Sequence, residues 1–96
     1  TIYVDLNRNI NPSKIIKELK NYYKKNDFIK ILNQNDLIST NDVINTNLCL
    51  ISICKTKYKN KIIILSAIDN LIKGGAGQAI QNFNIKFNFP IKTGLK

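Results

Sequence analysis

Apolar and polar residues alternate at the start of the chain and then change to helical spacing. The alternation over Thr1–Leu6 predicts a strand with one buried face, and a polar turn, Asn7–Asn11, follows it. Within Ser13–Lys25 the apolar residues form one stripe with lysines opposite, which predicts an amphipathic helix. Asn11 is suited to cap this helix, and Pro12 fits its first position.

The middle of the chain combines short apolar runs with one long polar segment. Phe28–Leu32 is predicted to be a short strand, and Asn33–Asn47, rich in Asn, Asp, Ser and Thr, a loop. The β-branched runs Leu48–Lys57 and Lys61–Ala67 flank a short polar turn, which predicts an antiparallel hairpin. No internal repeat or linker divides the 96 residues, so one domain is expected.

A glycine-containing turn leads from the hairpin into the last predicted helix. Asp69 and Asn70 precede the turn Lys73–Gly77, and the spacing of apolar residues then predicts a helix over 76–88. A helix start offers free amide donors, and glycine lets a ligand or another backbone approach closely, so this segment is the candidate polar site. The alternative is that the glycines only make a tight turn and allow close helix packing. Together the elements predict an α+β fold. The apolar stripe of the last helix comprises Ala76, Ala79, Ile80, Phe83 and Phe87.

The chain carries 15 Lys and Arg residues against 6 Asp and Glu, a formal net charge of +9. Such a charge suits nucleic acid or another anionic surface. Lysine, asparagine and isoleucine are abundant together, however, as an AT-rich coding sequence would produce, so a nucleic-acid partner is not favoured. The lysines of the first helix and of the hairpin turn are interpreted as solvated faces, and attraction of a phosphorylated cofactor or substrate is the alternative.

The apolar runs and the cysteines indicate an intracellular protein without a membrane span. No run approaches the ~20 apolar residues that cross a bilayer. Cys49 and Cys54 lie on one predicted strand and make no disulfide framework, so we interpret them as packed, reduced thiols.

The segment Asp69–Asn84 reads DNLIKGGAGQAIQNFN, and it is followed by Phe89-Pro90 and by Thr93-Gly94-Leu95. These motifs resemble the C-terminal signature of the N-acetyl-gamma-glutamyl-phosphate reductase family, which reads, nearly, D-N-L-x-K-G-A-A-G-Q-A-x-Q-N-x-N. Gly75 replaces the usual alanine of that signature. The resemblance covers essentially the whole chain.

This resemblance implies the substrate-and-assembly domain of a glyceraldehyde-phosphate-dehydrogenase-like fold, built on a mostly antiparallel sheet. It implies a reductase that converts an acyl phosphate to a semialdehyde with NADP in arginine biosynthesis. In that family a cysteine thiolate attacks the acyl phosphate, a histidine handles the proton, and NADPH delivers hydride. This chain has no histidine and no motif like the family's G-C-Y-P-T, so it is not expected to be catalytic alone.

The resemblance also implies partners and a location. The last helix, 76–88, is expected to pack on an N-terminal dinucleotide-binding domain that holds most of the NADP, which would leave its apolar stripe partly unpaired in this chain alone. A homo-oligomer is expected, in the cytoplasm or an organelle matrix, with no membrane partner.

The site residues implied by the resemblance lie at the glycine turn and before the hairpin. Thr46 and Asn47 would line the substrate pocket, although residues of these types are also ordinary at the start of a strand. Asn70 would hydrogen-bond the nicotinamide carboxamide; a local cap explains Asn70 equally well and is favoured for Asp69. The expected cofactor-binding residues are Asn70, Lys73, Gly74, Gly75, Gly77 and Gln78.

Two other functions fit part of the pattern. Gly74–Gly77 forms a G-x-x-G, which RNA-binding KH domains use to clamp a nucleotide backbone. That loop should join two helices, whereas a β-branched strand precedes this one. A related acyl-phosphate or semialdehyde dehydrogenase is the other alternative, because substrate choice depends largely on residues outside this chain.

Overall fold

A computed structural model describes residues 1–7 and 10–96 of the chain. Within these residues there are four strands, two α-helices and two short helical turns. The predicted elements are all present, with ends that differ by a few residues, and the predicted turn Asn7–Asn11 lies partly outside the described residues. The elements are β1 (Ile2–Asp5), α1 (Pro12–Tyr23), β2 (Ile29–Ile31), a 3-10 turn (Thr40–Asp42), β3 (Cys49–Lys55), β4 (Lys61–Ile68), a π-helical turn (Ile72–Ala76) and α2 (Gly77–Lys86).

The start of α1 follows from its first residues, as the sequence predicts. The Asn11 side-chain oxygen accepts a 3.0 Å hydrogen bond from the amide of Ser13, and Pro12 occupies the first turn. Proline has no amide hydrogen to satisfy, and its fixed φ suits this position. The apolar side of α1 then faces the sheet and buries Ile16.

The four strands form one mixed sheet with the order β1-β4-β3-β2. The predicted hairpin is present, since β3 and β4 pair antiparallel with Ile53 opposite Ile64, and β1 pairs antiparallel with β4. β2 pairs parallel with β3, with Ile29 opposite Cys49. The expectation of a mostly antiparallel sheet is therefore wrong. The long connection 32–48 lets the chain return to the end of the sheet where β2 begins, so that β3 can run in the same direction as β2.

One face of the sheet and α1 form the core. Ile53 is fully buried, and Ile16 and Ile62 pack with it. Side chains alternate between the faces of a strand, so the partners of Ile53 across the sheet face α1 as well. The residues packed around this cluster are Val4, Leu6, Ile15, Leu19, Ile31 and Ile64.

The opposite face of the sheet is only partly covered. The loop after β2 crosses one end of it, where the Ser52 hydroxyl donates a 2.6 Å hydrogen bond to the carbonyl of Asp36. Toward β1 the same face is open: Ile63 and Leu65 are half-buried, and Tyr3 is 79% exposed. No residue in the described part of the chain covers this open apolar area.

Residues 1–7 and 10–96 contain neither a membrane-spanning helix nor a metal-binding cluster. None of the helices in these residues is both long enough and apolar enough to cross a membrane. These residues contain no cluster of three or more His, Cys, Asp or Glu side chains that could bind a metal ion. Cys49 and Cys54 are both free thiols.

Candidate functional site

Asp69 organises the turn that follows β4. One carboxylate oxygen accepts from the amides of Leu71 (2.8 Å) and Ile72 (2.9 Å), and the other accepts from the amide of Asn45 (2.8 Å). The backbone carbonyl of Asp69 accepts from the Gly74 amide at 3.0 Å. The amides, that of Ile72 most of all, hold the pKa of Asp69 below its ordinary value because they stabilise the charged form. The cap role predicted for Asp69 is present, and it also joins the turn to the preceding loop.

The glycine turn is π-helical and runs directly into α2. The Ala76 amide donates to the Leu71 carbonyl at 3.0 Å, and the Gly77 amide donates to the Ile72 carbonyl. These amides are therefore satisfied inside the turn rather than offered to a ligand. The predicted helix start at residue 76 becomes Gly77, and the helix has no side-chain cap there because the π-helical turn satisfies its first amide donor.

Asn70 differs from its neighbour Asp69. Its side chain is exposed and makes no hydrogen bond to any residue that the structure describes. Its amide oxygen lies over Gly74, where an added Cβ would approach it to 3.0 Å. The glycine thus makes room for the amide group. Of the two acid-amide residues, Asp69 binds the turn, and Asn70 keeps a free donor and acceptor beside it.

A buried polar network lies beneath the turn. The Gln81 side-chain oxygen accepts from the Asn47 amide group at 2.9 Å and from the Lys73 ammonium at 2.8 Å. The Asn47 backbone amide donates to the carbonyl of Lys96 at 2.6 Å. The Asn47 side-chain oxygen is buried, has no hydrogen-bond partner among the described residues, and lies against Gly77. The structure thus brings together three predicted site residues, Asn47, Lys73 and Gly77.

Lys73 is half-buried, and its ammonium is directed toward Gln81. Its ammonium donates to Gln81 and lies 5.7 Å from the centre of the Phe28 ring. Burial lowers the pKa of Lys73, and the nearby Cys49 acts in the opposite direction. No carboxylate lies within salt-bridge distance of Lys73 in the described part of the chain. The ammonium is therefore a partly desolvated cation balanced by a neutral amide and an aromatic ring.

The other predicted site residues make local contacts. The Thr46 hydroxyl donates to the Val43 carbonyl at 2.7 Å and accepts from the amide of Leu48 at 3.3 Å. Gln78 lies on α2 and donates to Asn82 at 3.0 Å, and Gly75 is exposed in the turn. Substrate binding by Thr46 and Asn47 stays a prediction, as does cofactor binding by Gln78 and Gly75.

Helix α2 buries its polar side and exposes its apolar side. Its buried residues are Gly77, Gln81 and Asn84. The periodicity of the apolar residues located the helix but gave no sign that Gln81 and Asn84 are the buried positions. The whole predicted stripe is exposed, with Phe83 at 53%. The Phe83 ring centre lies 4.6 Å from that of Phe87, which is tilted against it, and 5.9 Å from that of Phe89, which is stacked on it, so the aromatic surface continues into the tail. A helix normally turns its apolar stripe to a core, whereas here no described residue of the chain covers that stripe.

The C-terminal tail folds back along α2. The Asn84 amide group donates to the carbonyls of Ile91 (3.1 Å) and Thr93 (2.9 Å), which holds the tail in place. A cavity of about 200 Å³ lies between the tail and the start of α2. A larger cavity, of about 350 Å³, lies at the far end of the sheet among the hairpin lysines, and it contains none of the predicted site residues.

The position of Gly74–Gly77 bears on the RNA-binding alternative. Strand β4 precedes the G-x-x-G, and the π-helical turn carries it into α2. A KH loop joins two helices, and here the first of them is replaced by a strand. The observed context therefore argues against a KH domain, as the sequence indicates.

Comparison with known proteins gives a consistent result. The family model described as semialdehyde dehydrogenase, dimerisation domain, matches residues 1–70. A protein of Oceanobacillus iheyensis named N-acetyl-gamma-glutamyl-phosphate reductase is 45% identical over 95 residues, which are 99% of this chain and 28% of that protein. A relative of the same name from Vesicomyosocius okutanii is 46% identical over 96 residues, 100% of the chain and 27% of the relative.

A plant protein also matches. It comes from Arabidopsis thaliana, is named probable N-acetyl-gamma-glutamyl-phosphate reductase, chloroplastic, and is 37% identical over 95 residues. The match covers 99% of this chain and 24% of the plant protein. The chain therefore spans about a quarter of the length of these curated relatives, and the resemblance seen in its motifs is confirmed over its whole length.

Proposed function

The chain belongs to the semialdehyde dehydrogenase dimerisation-domain family, and from this we propose that it is the C-terminal part of an NADP-dependent N-acetyl-gamma-glutamyl-phosphate reductase. The observation that carries the proposal is the match along the whole chain to relatives of that name. The nucleophilic cysteine and the histidine would come from the remainder of the enzyme, together with most of the NADP site. The glyceraldehyde-phosphate-dehydrogenase-like arrangement and a cytoplasmic or organellar location are part of the same proposal.

The direct test is an activity assay of the purified protein that carries this chain. Incubation with the semialdehyde, phosphate and NADP should produce NADPH by the reverse reaction. Replacing the N-acetylated semialdehyde with aspartate semialdehyde tests the alternative, a related semialdehyde dehydrogenase, which the broader family description keeps open. Turnover of aspartate semialdehyde alone would replace the proposed substrate. No turnover of either compound would refute the proposed activity.

Within this enzyme, Asn70 is proposed to bind the nicotinamide carboxamide. The support is geometric: the side chain is exposed, its donor and acceptor are unused among the described residues, and Asp69 holds the turn beneath it. Gly74 leaves room for that amide. Lys73 and Gly77 contribute by shaping the turn, because their contacts point toward Asn47 and Gln81.

Asn70→Ala in the complete protein tests this role. One lost hydrogen bond of about 1 kcal/mol should raise the KM for NADP roughly fivefold while thermal stability stays near that of the wild type. Asn21→Ala is the matched control, since Asn21 is an exposed asparagine on α1 and is not among the predicted site residues. An unchanged KM for NADP in Asn70→Ala, or an equal change in both variants, would exclude the proposed contact.

The exposed apolar side of α2 is proposed to pack on the dinucleotide-binding domain. Phe83, Phe87 and Phe89 form a continuous aromatic surface, and no described residue of this chain covers it. Hydrogen exchange of the α2 amides should be slower in the complete protein than in this chain alone. Equal exchange in both would show that α2 has no partner in the complete protein.

A homodimer is proposed to form through the open face of the sheet. The family whose description names dimerisation matches residues 1–70, which contain the whole sheet and exclude α2. Tyr3, Ile63 and Leu65 are the apolar residues left open there. Tyr3→Glu should lower the mass measured by light scattering to that of a monomer. Tyr22→Glu, at an equally exposed tyrosine on α1, should leave the mass unchanged, and equal masses for both variants would exclude this face.

A further inference from the structure

Gln81 connects three segments that are distant along the chain. Its side-chain oxygen accepts from Asn47, which precedes β3, and from Lys73 in the glycine turn, at 2.9 and 2.8 Å. Gln81 itself lies on α2 and is 7% exposed. From these contacts we infer that Gln81 is a positioning residue, which fixes the glycine turn, and with it Asn70, relative to the sheet. The consequence for catalysis rests on the proposed role of Asn70.

The contact of α2 and the glycine turn with the segment before β3 depends on hydrogen bonds because it has little apolar packing. No apolar side chain of α2 is buried in this chain, and the three buried positions are Gly77, Gln81 and Asn84. Apolar contact is non-directional, so it tolerates sliding of one element over another. Buried hydrogen bonds have preferred distances and angles and are costly to break, so they set one position. The shared acceptor therefore adds a second directional link between the turn and the loop, beside the contact of Asp69 with the Asn45 amide.

The close approach of α2 to Asn47 strengthens this constraint. At Gly77 an added Cβ would lie 2.5 Å from the Asn47 side-chain oxygen. Glycine thus lets the helix come near enough for Gln81, one helical turn later, to reach the Asn47 amide group. Lys73 lies in the π-helical turn just before α2 and donates to the same Gln81 oxygen, so the three contacts form one unit.

The chemistry of the acceptor also matters for Lys73. The ammonium has no carboxylate within salt-bridge distance in the residues that the structure describes, and a neutral amide oxygen accepts its hydrogen bond. Gln81→Glu would keep both acceptor contacts at nearly the same size. Gln81→Met would keep the length of the side chain and remove both contacts. This pair separates the loss of hydrogen bonding from the loss of bulk.

The test compares the two variants in the complete protein by steady-state kinetics and by hydrogen exchange. Gln81→Met should raise the KM for NADP about tenfold, with a smaller change in kcat, and should speed exchange of the amides in 70–77. Gln81→Glu should stay within about threefold of the wild-type KM and retain slow exchange, since both donors keep an acceptor. A global loss of structure would appear as faster exchange throughout β3 and β4. Faster exchange that is limited to the turn therefore shows that Gln81 positions the turn.

Two results would overturn the inference. One is a wild-type KM and wild-type exchange in Gln81→Met, and the other is equal damage in both variants. The hydrogen-exchange comparison does not require turnover. A wild-type protein that fails to reduce NADP with the semialdehyde would refute the proposed function, while unequal exchange of the two variants would still support positioning of the turn by Gln81.

Discussion

Gly77→Ala is the most direct test of how the turn is packed. A Cβ at this position would lie 2.5 Å from the Asn47 side-chain oxygen, 2.7 Å from Cγ2 of Ile72 and 2.8 Å from the Ile72 carbonyl oxygen. All three distances are shorter than real carbon contacts. The carbonyl belongs to the backbone of the π-helical turn, so it cannot rotate away as a surface side chain would.

The expected loss of stability follows from three contributions. Forcing a methyl group into this contact costs about 1–3 kcal/mol. Moving Asn47 away weakens its hydrogen bond to Gln81, which adds about 1 kcal/mol. Alanine is favoured over glycine within a helix by about 1 kcal/mol, which offsets part of this cost. The net destabilisation is therefore about 2 kcal/mol, equivalent to a Tm lower by roughly 8–16 °C for a domain of this size.

Urea and thermal unfolding of the chain, followed by circular dichroism, measure this loss. Gly74→Ala is the matched control, because its only tight contact is the exposed Asn70 side chain at 3.0 Å, which can move aside. It should remain within about 0.5 kcal/mol of the wild type. A Gly77→Ala variant as stable as the wild type would refute the packing argument, since helix propensity alone would then decide the outcome.

Three further predictions concern the acid, the core and the tail. The stability that Asp69 contributes is fully present above pH ~4, which is the pKa of its carboxyl in an unfolded chain, and it is lost as the pH falls through the lower pKa of the folded state. Asp69→Asn should therefore be less stable than the wild type at pH 7. In unfolding curves measured at acid pH this difference in stability should vanish. Ile53→Ala should lose about 2–5 kcal/mol in urea unfolding, and Ile2→Ala, half-exposed at the sheet edge, less than 1; similar losses would contradict the position of the core. Asn84→Leu should release the tail, so proteolysis after residue 90 should become faster than in Asn82→Leu, and equal rates would exclude the anchor.

Much of the fold is visible in local patterns. The alternation in Thr1–Leu6, the helical stripe with Asn11 and Pro12 before it, and the two β-branched runs identify strands and α1. Each depends on residues only a few positions apart. The parallel pairing of β2 with β3 is not predictable from local patterns, because a long polar loop separates the two strands. The sequence of that loop does not indicate whether β3 runs parallel or antiparallel to β2.

The candidate site was predictable in composition but not in arrangement. The acid-amide pair and the glycines marked the turn, and the cap role of Asp69 follows from a residue type that bonds nearby amides. The division of roles between Asp69 and Asn70 needed coordinates. So did Gln81, which carried no expected role although it accepts from both Asn47 and Lys73.

The positions of the strands and helices follow from local sequence, because apolar periodicity, caps and glycine act over a few neighbouring residues. The sequence also carries the family motif of the last segment. The residues that α2 buries depend instead on how the helix packs in the folded chain. The apolar stripe was expected to stay partly unpaired in this chain alone, and Ile80 and Phe83 are exposed, but no sequence pattern indicated that Gln81 and Asn84 are the buried residues. The reason is physical: burial depends on which surface meets another element, and the surface that suits this apolar stripe is absent from the described residues of the chain.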